Sequence, residues 1–220
     1  VNTKHASGQR KGLSVSPTRL NLLRDCPRCF WFDLKRGVLR PRGPMPSIVT
    51  KLDRDTNGYW NRYACNGLLP PLLQGKLEGV PVFPRVEAWY DRSTGLYVVG
   101  RLDACLRVDS GRHIPVDHKS RGSQPNGTHD AYQLQLDVYH LLLGRNGYSM
   151  AGFGLLIYYI PEAGELDAGT PWAVDIQRVE TDPPRALVWV AKARDMLELA
   201  RPPEPSPCCE FCRWARLVRC

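Results

Sequence analysis

YVVGRLDACLRVDSGRHIPVDHK, residues 97–119, consists of two strand-like runs joined by the turn Asp109-Ser110-Gly111-Arg112. This reading puts Asp103 on the first strand and Asp117 and Lys119 on the second, so that two carboxylates and a lysine meet at one sheet edge. Side chains on a strand alternate faces, so Asp117 and Lys119 share a face and His118 takes the other. The apolar lead Ile114-Pro115-Val116 carries the charged pair partly into the interior. Charge is costly there unless a cation or counter-charge neutralises it. Two aspartates and a lysine in such a place suit a divalent ion such as Mg²⁺, which prefers carboxylate oxygens and retained waters and lowers the pKa of a bound water. The lysine then orients that water or steadies charge developing on a phosphate. The same residues also fit an ordinary Asp/Lys ladder across a surface hairpin, and this stretch alone leaves both readings open.

Around it, the runs 85–91, 96–108 and 113–119 are spaced closely enough to predict an antiparallel meander. After the polar loop 120–128, the run HDAYQLQLDVYHLLLGRNG places Tyr132, Gln135, Leu136, Tyr139 and Leu143 at helical spacing, with Gly144 or Gly147 ending the helix. Residues 152–160 and 173–179 read as strands and 184–200 as a helix. Upstream, 1–12 reads as a flexible arm, followed by an extended lead into a helix capped by Ser16 and opened by Pro17. Pro27 forces a bend or a new helical segment, 40–46 is a loop, 47–63 is a helix with polar interruptions, and 68–84 is irregular. The order of elements gives a mixed α/β domain.

The chain has 220 residues, 43% hydrophobic and 24% charged, which is the balance of a globular protein and excludes general disorder. Its longest apolar run, 151–160, is ten residues, half of the about 20 that a membrane helix needs. The polar, basic start VNTKHASGQRKG does not read as a signal peptide, and the expected location is cytoplasmic, with no membrane partner. Thirty Lys and Arg against 22 Asp and Glu give a formal charge of +8. The basic residues gather near the two ends, at Arg24, Arg28, Lys35, Arg36, Arg40 and Arg42, then at Arg213, Arg216 and Arg219. Such a balance favours polyanions, nucleic acid foremost, although a solvated basic surface fits as well. Phe30, Trp31, Phe32 and Trp214 lie among these charges and either stack on bases or pack a core.

Eight cysteines without a secretory signal point to metal or redox chemistry rather than to a disulfide scaffold. Cys26-Pro27-Arg28-Cys29 and Cys209-Glu210-Phe211-Cys212 are two C-x-x-C pairs, with Cys208 and Cys220 beside the second. A two-residue spacing lets both thiolates of a pair reach one metal, and two pairs complete a tetrahedral or cluster site that fastens the ends of the chain together. Zinc and a four-iron cluster both fit four thiolates. Cys65 and Cys105 are isolated and read as unligated thiols. A redox C-x-x-C would need a thioredoxin-like pattern, which is absent.

GRLD, then VDHK, then a helix carrying Gln135-Leu136-Asp137-Val138-Tyr139 follow the order G-x-x-D, D-x-K, Q-x-x-x-Y. Together with the opening SPTRLNLLRDCPRCFWFD, they resemble the PD-(D/E)XK nuclease superfamily, in particular its RecB-like branch and the CRISPR-associated exonucleases that help process spacer DNA. The resemblance covers most of the chain, with 43–84 matching poorly. It implies an α/β, restriction-endonuclease-like core of a mixed central sheet flanked by helices, with N- and C-terminal segments joined by a cysteine metal or cluster site. The corresponding segments are 1–84, 85–200 for the nuclease core, and 201–220 packing back on the first. It implies a metal-dependent deoxyribonuclease, an exonuclease acting on single-stranded or end-bearing DNA in repair, recombination or spacer processing, with other subunits of such complexes as partners.

Carried over residue by residue, the resemblance makes Asp103 and Asp117 ligands of Mg²⁺ or Mn²⁺, with the backbone carbonyl of His118 as a further ligand. Lys119 assists the attacking water, and Gln135 and Tyr139, which are i and i+4 on one helix face, position Lys119 or the DNA. Cys26, Cys29, Cys209 and Cys212 hold an iron–sulfur (4Fe–4S) cluster, with Zn²⁺ as the alternative. The chain departs from the family pattern at two points. No histidine lies between His5 and His113, so Asp53, or else Asp55 or Glu87, stands in for a metal-binding histidine on an early helix. The gap from Cys212 to Cys220 is longer than usual, so Cys29 and Cys220 compete to be the fourth cluster ligand, and Cys29 gives symmetric pairs. The missing histidine also admits a second reading, a DNA-binding assembly subunit that keeps the nuclease fold with little or no turnover.

Overall fold

Prolines open three of the helices, because a first-turn N–H has no intrahelical partner to lose. The computed structural model describes residues 12–218 except 42, 44, 45 and 166, so the expected arm falls almost wholly outside the described residues. Ser16 accepts the Arg19 N–H on its Oγ at 3.3 Å and caps α1, Pro17–Asp25. Pro27 cannot continue α1 and instead opens α2, Pro27–Arg36, which ends on Gly37 with φ of 65°. α3, Ser47–Ala64, runs unbroken through Asn57 and Gly58, anchored by the buried Trp60 and Ala64. α4, Asp130–Arg145, starts on His129, whose ring accepts the Ala131 N–H, and Gly147 follows its end. α5 is Pro183–Glu198 and α6 is Glu210–Leu217. Among the described residues no helix is long and apolar enough to cross a membrane.

The strands form two sheets. β1 (Ser14–Val15), β3 (Trp89–Asp91) and β4 (Leu96–Val98) make the smaller one, in the order β1-β4-β3. β2 (Val80–Pro81), β5 (Ala104–Arg107), β6 (His113–Ser120), β7 (Phe153–Pro161) and β8 (Trp172–Glu180) make the larger one, in the order β2-β5-β6-β7-β8. β6 and β7 are parallel with α4 as their crossover, whereas β5–β6 and β7–β8 are antiparallel. The result is the expected α/β fold, a mixed central sheet flanked by helices.

The expected meander is corrected in one respect. The run 96–108 is not one strand: it breaks after Val98, and β4 and β5 belong to different sheets. Gly100 lies in the break, where a Cβ would come 2.8 Å from Leu142 Cδ1 and 3.3 Å from the Tyr139 ring. The chain can cross between sheets there because a residue without a side chain lets the backbone press against α4. Asp103 is therefore on a bend just before β5, not on a strand, and the expected strand 85–91 is regular only over Trp89–Asp91.

Alternation along the central strands sorts the core. Val116, Leu155, Ile157 and Tyr159 pack with Trp60 and Ala64 of α3 on one face. Leu156, Tyr158 and Ile160 pack with Leu136 and Tyr139 of α4 on the other. A further cluster joins α1, α2, α4 and α5 to the small sheet through Leu20, Leu23, Phe30, Val98, Leu142 and Val190. Full burial of each such side chain stabilises by about 1.5–3 kcal/mol, which holds α4 in a fixed place over β6.

Candidate active site

β6 projects Asp117 and Lys119 toward α4, while His118 points the other way, its ring 5.1 Å from Trp60 and 5.7 Å from Tyr159. β5 pairs with β6 only as far as Ala104↔Val116, whereas β7 continues beside Asp117 to Ser120. The expected sheet edge is thus a local opening on a central strand, where β5 has not yet begun. Asp103 fills that opening, and its Oδ2 accepts the His118 backbone N–H at 3.2 Å. A hollow of about 220 Å³ lined in part by Arg101, Leu102 and Asp103 lies alongside.

The side chains form a connected set. Lys119 Nζ is 2.5 Å from Asp117 Oδ2, a close ion pair. Gln135 donates from Nε2 to Asp117 Oδ1 at 2.7 Å and to Tyr139 Oη at 2.8 Å. Tyr139 donates in turn to the Arg101 carbonyl at 2.8 Å. Gln135 Oε1 accepts a long contact from Lys119 Nζ at 3.5 Å, and Lys119 Nζ lies 4.5 Å from the Tyr132 ring centroid. Tyr132, Gln135 and Tyr139 are i, i+3 and i+7 on α4, so one helix face serves the site. The opposite side of α4 is tied down by Asp137, fully buried, which takes Arg185 Nε at 2.6 Å, Arg185 Nη2 at 2.8 Å and the Asp182 N–H at 2.9 Å.

Burial pushes the Asp117 carboxyl up to about 7; Lys119 opposes the rise and Asp103 reinforces it. Burial pulls His118 down to about 4, so its ring is neutral near pH 7, and it raises the Tyr139 hydroxyl well above the usual range. A fully buried carboxylate balanced by one lysine and facing a second carboxylate across an open backbone is a donor set that fits a hard divalent cation. No third acidic or histidine side chain completes it: among the described residues, Asp53, Asp55 and Glu87 do not form a three-ligand group with Asp103 and Asp117. Asp53 is exposed on α3, Asp55 is ion-paired with Lys51, and Glu87 is 2.9 Å from Arg85.

The four cysteines of the two C-x-x-C pairs converge, their sulfurs all within 4.8 Å of one another. Cys26 to Cys212 is 3.8 Å, Cys29 to Cys209 is 3.7 Å and Cys29 to Cys212 is 3.6 Å. Cys29 is therefore the fourth member of the quartet, and Cys220 lies outside the described residues. Burial pushes the Cys26 thiol up, but the N–H groups of Cys29 and Ser206 and the neighbouring thiols outweigh it and bring the group down to about 7. Arg40 donates from Nη2 to Cys209 Sγ at 3.7 Å. Cys65 is exposed, and Cys105 is buried with its thiol pushed up to about 12 by burial; neither joins the quartet.

Reading the sequence missed three contributors: the Tyr132 ring, the Arg101 carbonyl and the His118 N–H. Tyr132 belongs to the helical stripe and shares its face with Gln135 and Tyr139. The two backbone groups carry no sequence signal.

Comparison with known proteins gives a family. The family model of the PD-(D/E)XK nuclease superfamily matches residues 74–217. No curated protein matches the chain. A solved structure described as "Crystal structure of SSO0001" aligns at 16% identity and a TM-score of 0.43, covering 88% of this chain and 81% of that one.

Proposed function

The chain belongs to the PD-(D/E)XK nuclease superfamily, whose members are mostly metal-dependent nucleases, and from its site we propose that it is a deoxyribonuclease, specifically a Mg²⁺- or Mn²⁺-dependent exonuclease. The observation that carries this reading is the buried Asp117 held between Gln135 and Lys119, with Asp103 across the opening in the sheet. Asp103, Asp117 and the His118 carbonyl would hold the ion, which supplies positive charge to a phosphate and lowers the pKa of a water. Lys119, fixed by Asp117 and Gln135, orients that water and steadies the charge that develops on the phosphate. Tyr139 locks Gln135 from below through the Arg101 carbonyl, so the lysine meets its partners with little rearrangement.

An end-dependent activity on single-stranded or end-bearing DNA follows from the resemblance to the RecB-like and CRISPR-associated branch, and with it a role in repair, recombination or spacer processing beside other subunits. Digestion of linear DNA with covalently closed circles left intact supports the exonuclease; cleavage of circles at a similar rate assigns an endonuclease.

The cysteine quartet is proposed as a metal centre that staples α2 to α6. The resemblance supports a 4Fe–4S cluster. Three of the six sulfur separations, 3.6–3.8 Å, match the edge, about 3.8 Å, of a tetrahedron with metal–sulfur bonds near 2.3 Å, and all six lie within 4.8 Å, which supports zinc. A four-iron cluster requires the quartet to open.

Among the described residues no third side-chain ligand joins Asp103 and Asp117, which favours one other reading, a DNA-binding assembly subunit with little turnover. Tight DNA binding without cleavage across several divalent metals selects it.

A further inference from the structure

Two hollows meet at Pro41 and Phe211, away from Asp117 and beside the cysteine quartet. One, about 360 Å³, is lined by residues of α2, the segment 38–41 and α6, with Cys29 and Cys212 among them. Its charge is one-sided, with Arg28, Arg40 and Arg216 against Glu204. The Arg28 guanidinium lies 5.7 Å from the Phe32 centroid, and that of Arg40 lies 4.9 Å from Phe211. Arg40 is held inward, with Nη1 3.7 Å from Asp25 Oδ2 and Nη2 donating to Cys209 Sγ; only its Nε has no partner among the described residues. The second hollow carries the groove on to Trp214. Phe211 is 42% and Trp214 61% exposed, and no residue of α6 is buried.

Aromatic rings left open to water beside arginines are costly as mere surface, and they are what a single nucleic-acid strand uses: arginines for phosphates and ring faces for bases. We propose that this groove is a second, non-catalytic binding subsite for single-stranded nucleic acid, in which Arg28 and Arg216 hold phosphates and Phe211 and Trp214 stack bases. It rests on the nuclease reading and narrows its substrate to a strand that is unpaired where it crosses α6. A protein partner fits the exposed rings less well, because the lining charge is positive and nucleic acid complements it.

The test is binding of fluorescein-labelled oligothymidylate to the full chain, followed by anisotropy in an Asp117→Asn background that keeps the DNA intact. Phe211→Ala with Trp214→Ala is expected to weaken binding roughly tenfold or more, and Trp214→Phe to restore most of it. Arg216→Gln is expected to flatten the slope of log affinity against log salt by about 0.7. Metal content equal to that of the parent shows that the quartet is intact in each variant. Affinity within about twofold of the parent in the aromatic double variant overturns the proposal. So does a dimer lost on Trp214→Arg with DNA affinity intact, which assigns the face to a second copy of the chain. Degradation of linear DNA by the wild type with Mg²⁺ or Mn²⁺ tests the nuclease reading separately: its absence sinks that reading whether or not the groove binds DNA.

Discussion

Replacing Asp117 with asparagine separates a site built for a cation from an ordinary ion pair. Asp117 has no exposure, and burial lifts its carboxyl from 3.8 to about 7. A group whose folded pKa lies above its unfolded value stabilises fully below the unfolded value, and that contribution is lost as pH rises through the folded value. Without a divalent ion, the Asp117 contribution to stability therefore declines from about pH 4 and is gone above about pH 7. A gap of roughly three pH units corresponds to about 4 kcal/mol. The attraction to Lys119 is already contained in the value of about 7; asparagine keeps an acceptor for Gln135 and sheds the charge, but its amide nitrogen then faces the Lys119 ammonium, donor against donor, which takes back about 1 kcal/mol. We expect Asp117→Asn to be about 3 kcal/mol more stable than wild type near pH 8, a rise in Tm of about 6–10 °C for a chain of this size, with the difference shrinking toward pH 4. His118, held near 4 by burial, titrates in both proteins and cancels in the comparison. Thermal and urea unfolding without added divalent ion checks this, and added Mg²⁺ or Mn²⁺ should stabilise the wild type alone. A variant less stable than wild type near pH 8, with parallel pH curves, refutes the reasoning, because Asp117 and Lys119 would then be only a stabilising pair.

Tyr139→Phe removes the hydroxyl that joins Gln135 to the Arg101 carbonyl; it should cost about 1–3 kcal/mol of stability and slow cleavage roughly tenfold, and steady-state kinetics indistinguishable from wild type would count against a positioning role. Cys29→Ser should lose the bound metal and several kcal/mol of stability with it, read by metal analysis and unfolding. In the same preparations of wild type, purified anaerobically, a broad visible band identifies iron–sulfur, and colourless protein with bound zinc identifies zinc. Gly100→Ala places a methyl 2.8 Å from Leu142 Cδ1; the expected cost is about 1–3 kcal/mol, and a urea midpoint equal to wild type would show that the crossing between sheets is looser than drawn.

The parts of the site that could be read from sequence are those set by local periodicity. Alternation along β6 put Asp117 and Lys119 on one face and His118 on the other, and the helical period put Gln135 and Tyr139 on the face that meets them. The C-x-x-C spacing foretold which thiols converge, because two residues between cysteines leave little freedom in where they point. The break after Val98 was not legible. It depends on Gly100 pressing on α4 and on β1 pairing in parallel with β4, a contact between residues some eighty positions apart that no local pattern announces. For the same reason Asp103 was placed on a strand, although it reaches the site from a bend. That Asp53 stays away from Asp103 and Asp117 was illegible because α3 approaches β6 through Trp60, an apolar contact that says nothing about where an acid on the same helix ends up.

The central claim is tested most directly by incubating linear single-stranded DNA with the wild type and with Asp117→Ala, each with Mg²⁺ or Mn²⁺. We expect degradation by the wild type and a loss of roughly 10²–10³-fold or more in the variant, with Lys119→Ala behaving alike and both variants folded. Robust cleavage by folded Asp117→Ala protein contradicts the assignment.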